Sequence, residues 1–412
     1  MNPHVPDSME RLPAAESAER VARCRELLGR LVPQASGLLL FSYLNVYYIS
    51  GSLAAGVVWI PKEGEPVLLA RRGIERAREE SPLSRILPFR SFSDLPKRCE
   101  EAGSPFPAEK GAQVAVDMGN VPWSQAEMLT KRVSDVHFVS GDMVIKQARM
   151  RKTAWELAKL RKSGALHHHC VFVELPKHIK PGMTEWQIAR TVLDIYYDHG
   201  HTPVTNVTLP WRVAPGNACA GVSGLCVTSF DGPLGVRGIH PAVPFMGSWQ
   251  KVWEPGEPLL VDVSFNVDGY CTDKSQSFFA GATPSEVVAR AHACCVAIQA
   301  EAASMLVPGT TPSQVWEKAL AMATEAGYGE TFMGMGSERA RYLGHGVGLE
   351  MDEYPSFAAK FDVPFEEGVV MAVEPKIAIP DVGMVGVENS FLVTPKGGEC
   401  LTGDDFSLVT IG

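Results

Sequence analysis

The feature that most constrains the fold lies in the second half of the chain, where one set of turn and cap residues occurs twice. Pro181, Gly182, Thr184 and Gly200 return as Pro308, Gly309, Thr311 and Gly327, all at an offset of 127. In each copy a long helical pattern ends at Pro-Gly, a Thr caps a second helix and a Gly stops it. Strand-like sequence follows, so the unit reads helix, helix, antiparallel strands, and it is present twice. Two similar halves facing each other leave a site between them.

The second copy carries further local signals. Thr283-Pro284-Ser285-Glu286 and Thr311-Pro312-Ser313-Gln314 both have capping-box spacing with Pro at the first helical position. Between them Val288, Ala291, Cys295, Ile298, Ala302 and Met305 recur at three- and four-residue steps, giving a helix one apolar face to lay on a sheet.

The first part of the chain alternates differently. A charged helix ends near Leu31, apolar strands follow at 37–42, 55–60 and 67–70, and further strands fall at 113–117 and 137–140. This alternation predicts a smaller α/β sheet domain over residues 1–152. A long helical pattern from Thr153 opens a second domain, 153–412. Residues 32–61 hold no charge and are long enough to span a bilayer, but Pro33, Gly37, Asn45 and Gly51 break them into what reads as buried strands joined by turns.

A length of 412 residues with 45% hydrophobic and 21% charged residues is that of an ordinary globular protein with more than one core. The net charge of −9, without a basic run, argues against nucleic acid or an anionic membrane as partner and points to a small substrate. Nine cysteines without a CxxC pair suggest neither a disulfide framework nor a zinc ribbon. With no apolar leader segment at the N-terminus, a cytoplasmic location is expected.

Chemistry concentrates in two segments, one in each copy. In PLLVDVSFNVDGYCTDKSQSFFAG, Asp268-Gly269 is a natural hairpin turn, and Asp262 and Asp273, eleven apart, fall on one face of the paired strands. In VVMAVEPKIAIPDVGMVGVENSFLVT, Glu374 and Glu388 are opposed around a loop centred on Asp381. Like charges embedded in apolar strands call for a cation between them. His345, in YLGHGVGLEMDEYP, adds a neutral nitrogen where Gly344, Gly346 and Gly348 allow close backbone approach. Four carboxylates and one imidazole suit two hard or borderline divalent ions, Mn, Co, Fe or Zn, and the chemistry of metal-assisted hydrolysis.

The order Asp, Asp, His, Glu, Glu, with the eleven-residue gap and the segments GHGVGLE and VEP, resembles the pita-bread metallopeptidases, among them methionine aminopeptidase, aminopeptidase P and prolidase. Asn45 to Gly51 is similar to the domain that prolidase, aminopeptidase P and creatinase carry in front. The resemblance implies an α+β fold with a duplicated ααββ catalytic domain behind a creatinase/prolidase-type N-terminal domain, and a homodimer. It also implies that Asp273 and Glu388 bridge both ions, Asp262 binds one, and His345 and Glu374 complete the other, with Glu374 also the general base for a bridging hydroxide.

The sequence departs from that pattern at Asp352, where such peptidases place a second His to donate to the substrate carbonyl; a carboxylate only accepts. Gly386 stands where proline-directed members have an Arg. His240, within an elaborated loop from Val204 to Trp253, is the position to compare with a further family His, or else a surface histidine. His167, His168 and His169 point in different directions on a helix and read as a partly exposed patch, and Cys271 as a core thiol. The expected activity is therefore that of a metal-dependent exopeptidase of the Xaa-Pro dipeptidase or aminopeptidase type. The alternatives are a hydrolase or lyase acting on a small, cationic substrate at the same centre, or an inactive binding module.

Overall fold

The computed structural model describes residues 10–202, 216–228 and 230–412. The first residues of the chain, and the part of the expected Val204–Trp253 loop between 203 and 215, lie outside them. The chain divides into two compact units, one ending at Arg149 and one running from Met150 to Gly412.

The N-terminal unit is built on a six-stranded mixed sheet. Its strands are β1 (Ala35–Leu40), β2 (Ala55–Pro61), β3 (Val67–Arg72), β4 (Ile86–Pro88), β5 (Ala112–Val116) and β6 (Val136–Ser140), in the spatial order β4-β3-β2-β1-β5-β6. Leu38, Leu39 and Leu40 are all fully buried, as are Val58 and Ile60, so both faces of the central strands are covered. That is why these strands read as continuous apolar runs rather than alternating ones.

The uncharged stretch differs from its expected form in one place. Tyr43–Ser50 is an α-helix, not a strand, stopped by Gly51 at φ 68° with its N–H on Tyr47 O. Leu44, Val46, Tyr48 and Ile49 are buried, and Asn45 donates to the carboxylate of Asp117. Burial on several sides overrides the strand preference of Val, Tyr and Ile.

The second unit contains the duplicated pattern. Helices Ala154–His168 and Glu185–Asp198 precede β7 (Gly216–Ala220), β8 (Pro258–Val267) and β9 (Tyr270–Ala280). Helices Glu286–Ser304 and Pro312–Glu325 precede β10 (Tyr342–Gly346), β11 (Glu353–Ala358), β12 (Val370–Val373), β13 (Lys376–Ile379), β14 (Gly383–Gly386), β15 (Asn389–Thr394) and β16 (Gly397–Cys400). A last strand, β17 (Val409–Ile411), returns to pair in parallel with β9. The strands form a four-stranded sheet β17-β9-β8-β7, a five-stranded sheet β11-β10-β12-β15-β16 and the hairpin β13-β14. β7 falls inside the segment expected to be loop.

Thr153, Thr184 and Thr311 each cap their helix in a reciprocal capping box. Thr283 does not, because Ser285, one residue before the first helical turn, takes the N-cap position without a side-chain bond. His167 is also a correction: it is wholly buried, bonded to Thr272 Oγ1 at 3.1 Å and stacked on Phe265, whereas His168 and His169 are partly buried.

Strand alternation decides what each half presents. Along β8, Val261, Val263 and Phe265 pack with Ile188, Val192 and Tyr196 of the overlying helix. Along β13 and β14, Ile377, Ile379 and Val385 pack with Val288, Cys295 and Ile298. The intervening residues point the other way, and the two inner faces meet through Leu260, Ala378 and Met384.

Candidate metal centre

Asp262 and Asp273 belong to that inner face of the first half. The β8–β9 hairpin turns on Asp268 (φ 52°) and Gly269 (φ 88°), pairing Val267 with Tyr270. This register sets Asp262 opposite Ser275 and Asp273 opposite Ser264, so the two aspartates are one diagonal step apart. In the second half Glu374 follows β12, its N–H on Leu343 O, and Glu388 precedes β15, flanking the β13–β14 hairpin in register. The halves are joined through the backbone at this point: Ser275 N–H donates to Glu388 O at 3.2 Å and Glu388 N–H to Ser275 O at 3.3 Å. Asp273 N–H and C=O are both held by Ser390 Oγ.

His345 enters from β10. Gly344, beside it, sits at φ 152°, and a Cβ there would lie 2.0 Å from Ala372 O, so only Gly lets β10 approach β12 closely enough. The imidazole Nε2 is 4.0 Å from Asp273 Oδ2 and 3.8 Å from Glu374 Oε1. The structure thus brings all five expected donors together. Asp273, His345, Glu374 and Glu388 are buried, and Asp262 is partly buried.

The other two expected positions fall apart from one another. Asp352 lies behind His345, Oδ1 at 3.3 Å from Nδ1, which also faces Gly346 O at 3.2 Å. It supports the imidazole from the rear rather than adding a donor among the carboxylates. His240 is exposed in a tight turn, its Nδ1 accepting the Ala242 N–H at 3.1 Å.

One residue of the centre was not anticipated. The ammonium of Lys376, wholly buried, lies 2.6 Å from Glu374 Oε2, 2.9 Å from Glu388 Oε2 and 3.5 Å from Asp262 Oδ2. Ser275 Oγ donates to the same Glu388 oxygen at 2.7 Å. Its signal was a lysine opening an apolar strand two residues from Glu374, hence on the same face.

The electrostatics follow from this crowding. Burial raises Asp273 well above the usual carboxylate range, reinforced by Glu388, Asp262 and Glu374. Burial also raises Asp262, to about 6, against the pull of Lys376. Burial would lower His345, but Asp352, Glu374 and Glu388 carry it to about 9. Lys376 likewise is held charged despite burial by Asp262, Glu374 and Glu388. The centre is an anionic pocket that stabilises positive charge.

The donors of Asp273, His345 and Glu388 lie within 4.8 Å of one another, an arrangement that fits one divalent ion. The second of the two expected ions does not fit in the same way. The ion expected at Asp262, Asp273 and Glu388 would share two of its three ligands with the Lys376 ammonium, which lies 3.5 Å from Asp262 Oδ2 and 2.9 Å from Glu388 Oε2.

Two facing helix-pair-and-strand halves with carboxylates on their inner seam are the pita-bread architecture. The prolidase from Pyrococcus horikoshii superposes with a TM-score of 0.75 at 24% identity, covering 95% of this chain and 100% of that one. Dipeptidase PepE from Mycobacterium ulcerans gives 0.78 at 22%, covering 98% and 100%. Residues 158–395 match metallopeptidase family M24 and residues 20–151 the creatinase/prolidase N-terminal domain, and the chain belongs to that family. An Xaa-Pro dipeptidase of P. horikoshii is 26% identical over 367 residues, 89% of this chain and 92% of the relative. Its Pyrococcus furiosus counterpart is 25% identical over 361 residues, 87% and 91%. The family implies divalent metal, and the expected family and fold are borne out. Among the described residues no helix is long and apolar enough to cross a membrane.

Proposed function

We propose that this chain is a metal-dependent exopeptidase of the Xaa-Pro dipeptidase or aminopeptidase type, cleaving small peptides at the Asp273–His345–Glu388 centre. The observation that carries the reading is the convergence of those three buried donors within 4.8 Å, with Asp262 and Glu374 alongside. The relatives named Xaa-Pro dipeptidase, matched over nearly the whole chain, supply the substrate class. A divalent ion held there supplies Lewis acidity toward a peptide carbonyl and lowers the pKa of water. The protein groups do the rest. Asp352 and Gly346 O take the proton on Nδ1 of His345, which leaves Nε2 to donate its lone pair. Glu374, raised by burial, accepts the proton of the attacking water on Oε1 while Lys376 holds Oε2.

The test is to strip metal with a chelator, restore Mn, Co or Zn, and assay dipeptides with and without proline in second position. Cleavage should return with the metal, and Glu374→Gln should lower kcat by about 10²- to 10⁴-fold. Metal binding with no dipeptide cleaved would sink the exopeptidase reading. It would favour a hydrolase or lyase for a small cationic substrate, to which the half-exposed Asp352 carboxylate beside His345 gives support. We extend the proposal to a cytoplasmic homodimer, for which light scattering should give twice the chain mass of 44.7 kDa.

A further inference from the structure

Lys376 stands apart because its wholly buried ammonium lies against three carboxylates of the seam, and its reach is prepared by the opposite strand. Gly386 pairs with Lys376 across β13–β14, and a Cβ on Gly386 would lie 2.6 Å from Lys376 Cγ. Any side chain at 386 would therefore press on the stem of the lysine. With Gly there, the stem passes over the hairpin and delivers Nζ between Glu374 and Glu388, within 3.5 Å of Asp262.

We infer that Lys376 is a built-in cation that takes the place of one of two metal ions, so that the centre binds a single divalent ion. The inference rests on the metal-dependent reading given above and concerns the composition of the same centre. Charge and geometry agree on it. With all four carboxylates ionised, an ammonium alone would leave three uncompensated negative charges in a buried seam, whereas an ammonium and one divalent ion leave one. The donors divide accordingly. Asp262, Glu374 and Glu388 face the ammonium, while Asp273 and His345, with Glu388 shared, remain as the set for the ion. A second divalent ion, bound to oxygens at ~2.0–2.2 Å, would have to displace the ammonium to reach Asp262 together with the Glu388 oxygen it holds. Lys376→Gly removes that obstacle and frees the three carboxylates.

The experiment is equilibrium dialysis of the full chain and of K376G against Mn²⁺ alone, with bound metal counted by elemental analysis and the state of the ions read by electron paramagnetic resonance. The wild type should bind one Mn²⁺ per chain with an isolated six-line spectrum, and K376G should bind two with the broadened signature of exchange-coupled ions. Two ions in the wild type, or one in both proteins, overturns the inference. Should K376G not fold, judged by circular dichroism, the wild type decides alone: one isolated ion upholds the inference and a coupled pair defeats it. No ion in the wild type with one or more in K376G keeps the lysine as an excluder of metal and defeats the metal-dependent reading. The expected stoichiometries with no peptide cleaved sink only the choice of substrate.

Discussion

Asp352 changes meaning between the linear chain and the folded one. By position it stands where related peptidases put a histidine that donates to substrate, and as an acceptor it cannot do that. In the structure its Oδ1 lies 3.3 Å from Nδ1 of His345, on the side of the ring away from the carboxylates. A carboxylate behind a ligating imidazole fixes its tautomer and raises its basicity. Asp352→Ala should therefore weaken Mn²⁺ binding by about 10- to 100-fold, read by titration calorimetry, with little change in melting temperature. Unchanged affinity would mean that Gly346 O alone orients the ring.

At the scale of elements, the hairpin β13–β14 couples two residues that are ten apart in sequence. Gly386→Ala introduces a Cβ that meets Lys376 Cγ and Pro375 O, at 2.6 and 2.7 Å. It should be destabilising in the wild type and less so in K376G, where one of the two contacts is gone. A double-mutant cycle by urea unfolding should give an interaction energy of about 0.5–3 kcal/mol, and strict additivity would refute the contact. Elements with strong local signals were legible in the sequence. The Asp268-Gly269 turn, the Thr184 cap, the Thr311 capping box and the placing of Asp262 and Asp273 on one sheet face all follow from rules that operate within a few residues. What was not legible depends on distant partners. Tyr43–Ser50 becomes a helix because its surroundings bury it, and Thr283 loses the cap to Ser285. Lys376 could be seen as a lysine in an apolar strand, but only the assembled seam shows which three carboxylates it meets.

At the scale of the whole molecule, all five donors and the lysine belong to the unit from Met150 to Gly412, while the unit ending at Arg149 has its own core around Leu39, Trp59, Leu69 and Val114. Trp59 is almost wholly buried and lies against Gly37, where a Cβ would meet its ring at 2.4 Å. Trp59→Ala should cost that unit about 3–5 kcal/mol by the loss of a large buried side chain. Calorimetry should register an earlier unfolding transition, and the number of Mn²⁺ ions held per chain should not change. A fall in that number would show that the centre depends on more than the second unit.

The lysine also bears on how the protein comes into being. Ions have to be captured from a cellular supply that fluctuates, after the chain has left the ribosome. A positive charge carried on the chain arrives with translation itself and cannot be withdrawn by starvation or by a competing protein. Part of the repulsion inside this acidic seam is therefore relieved at the moment the two halves close, before any encounter with the metal pool.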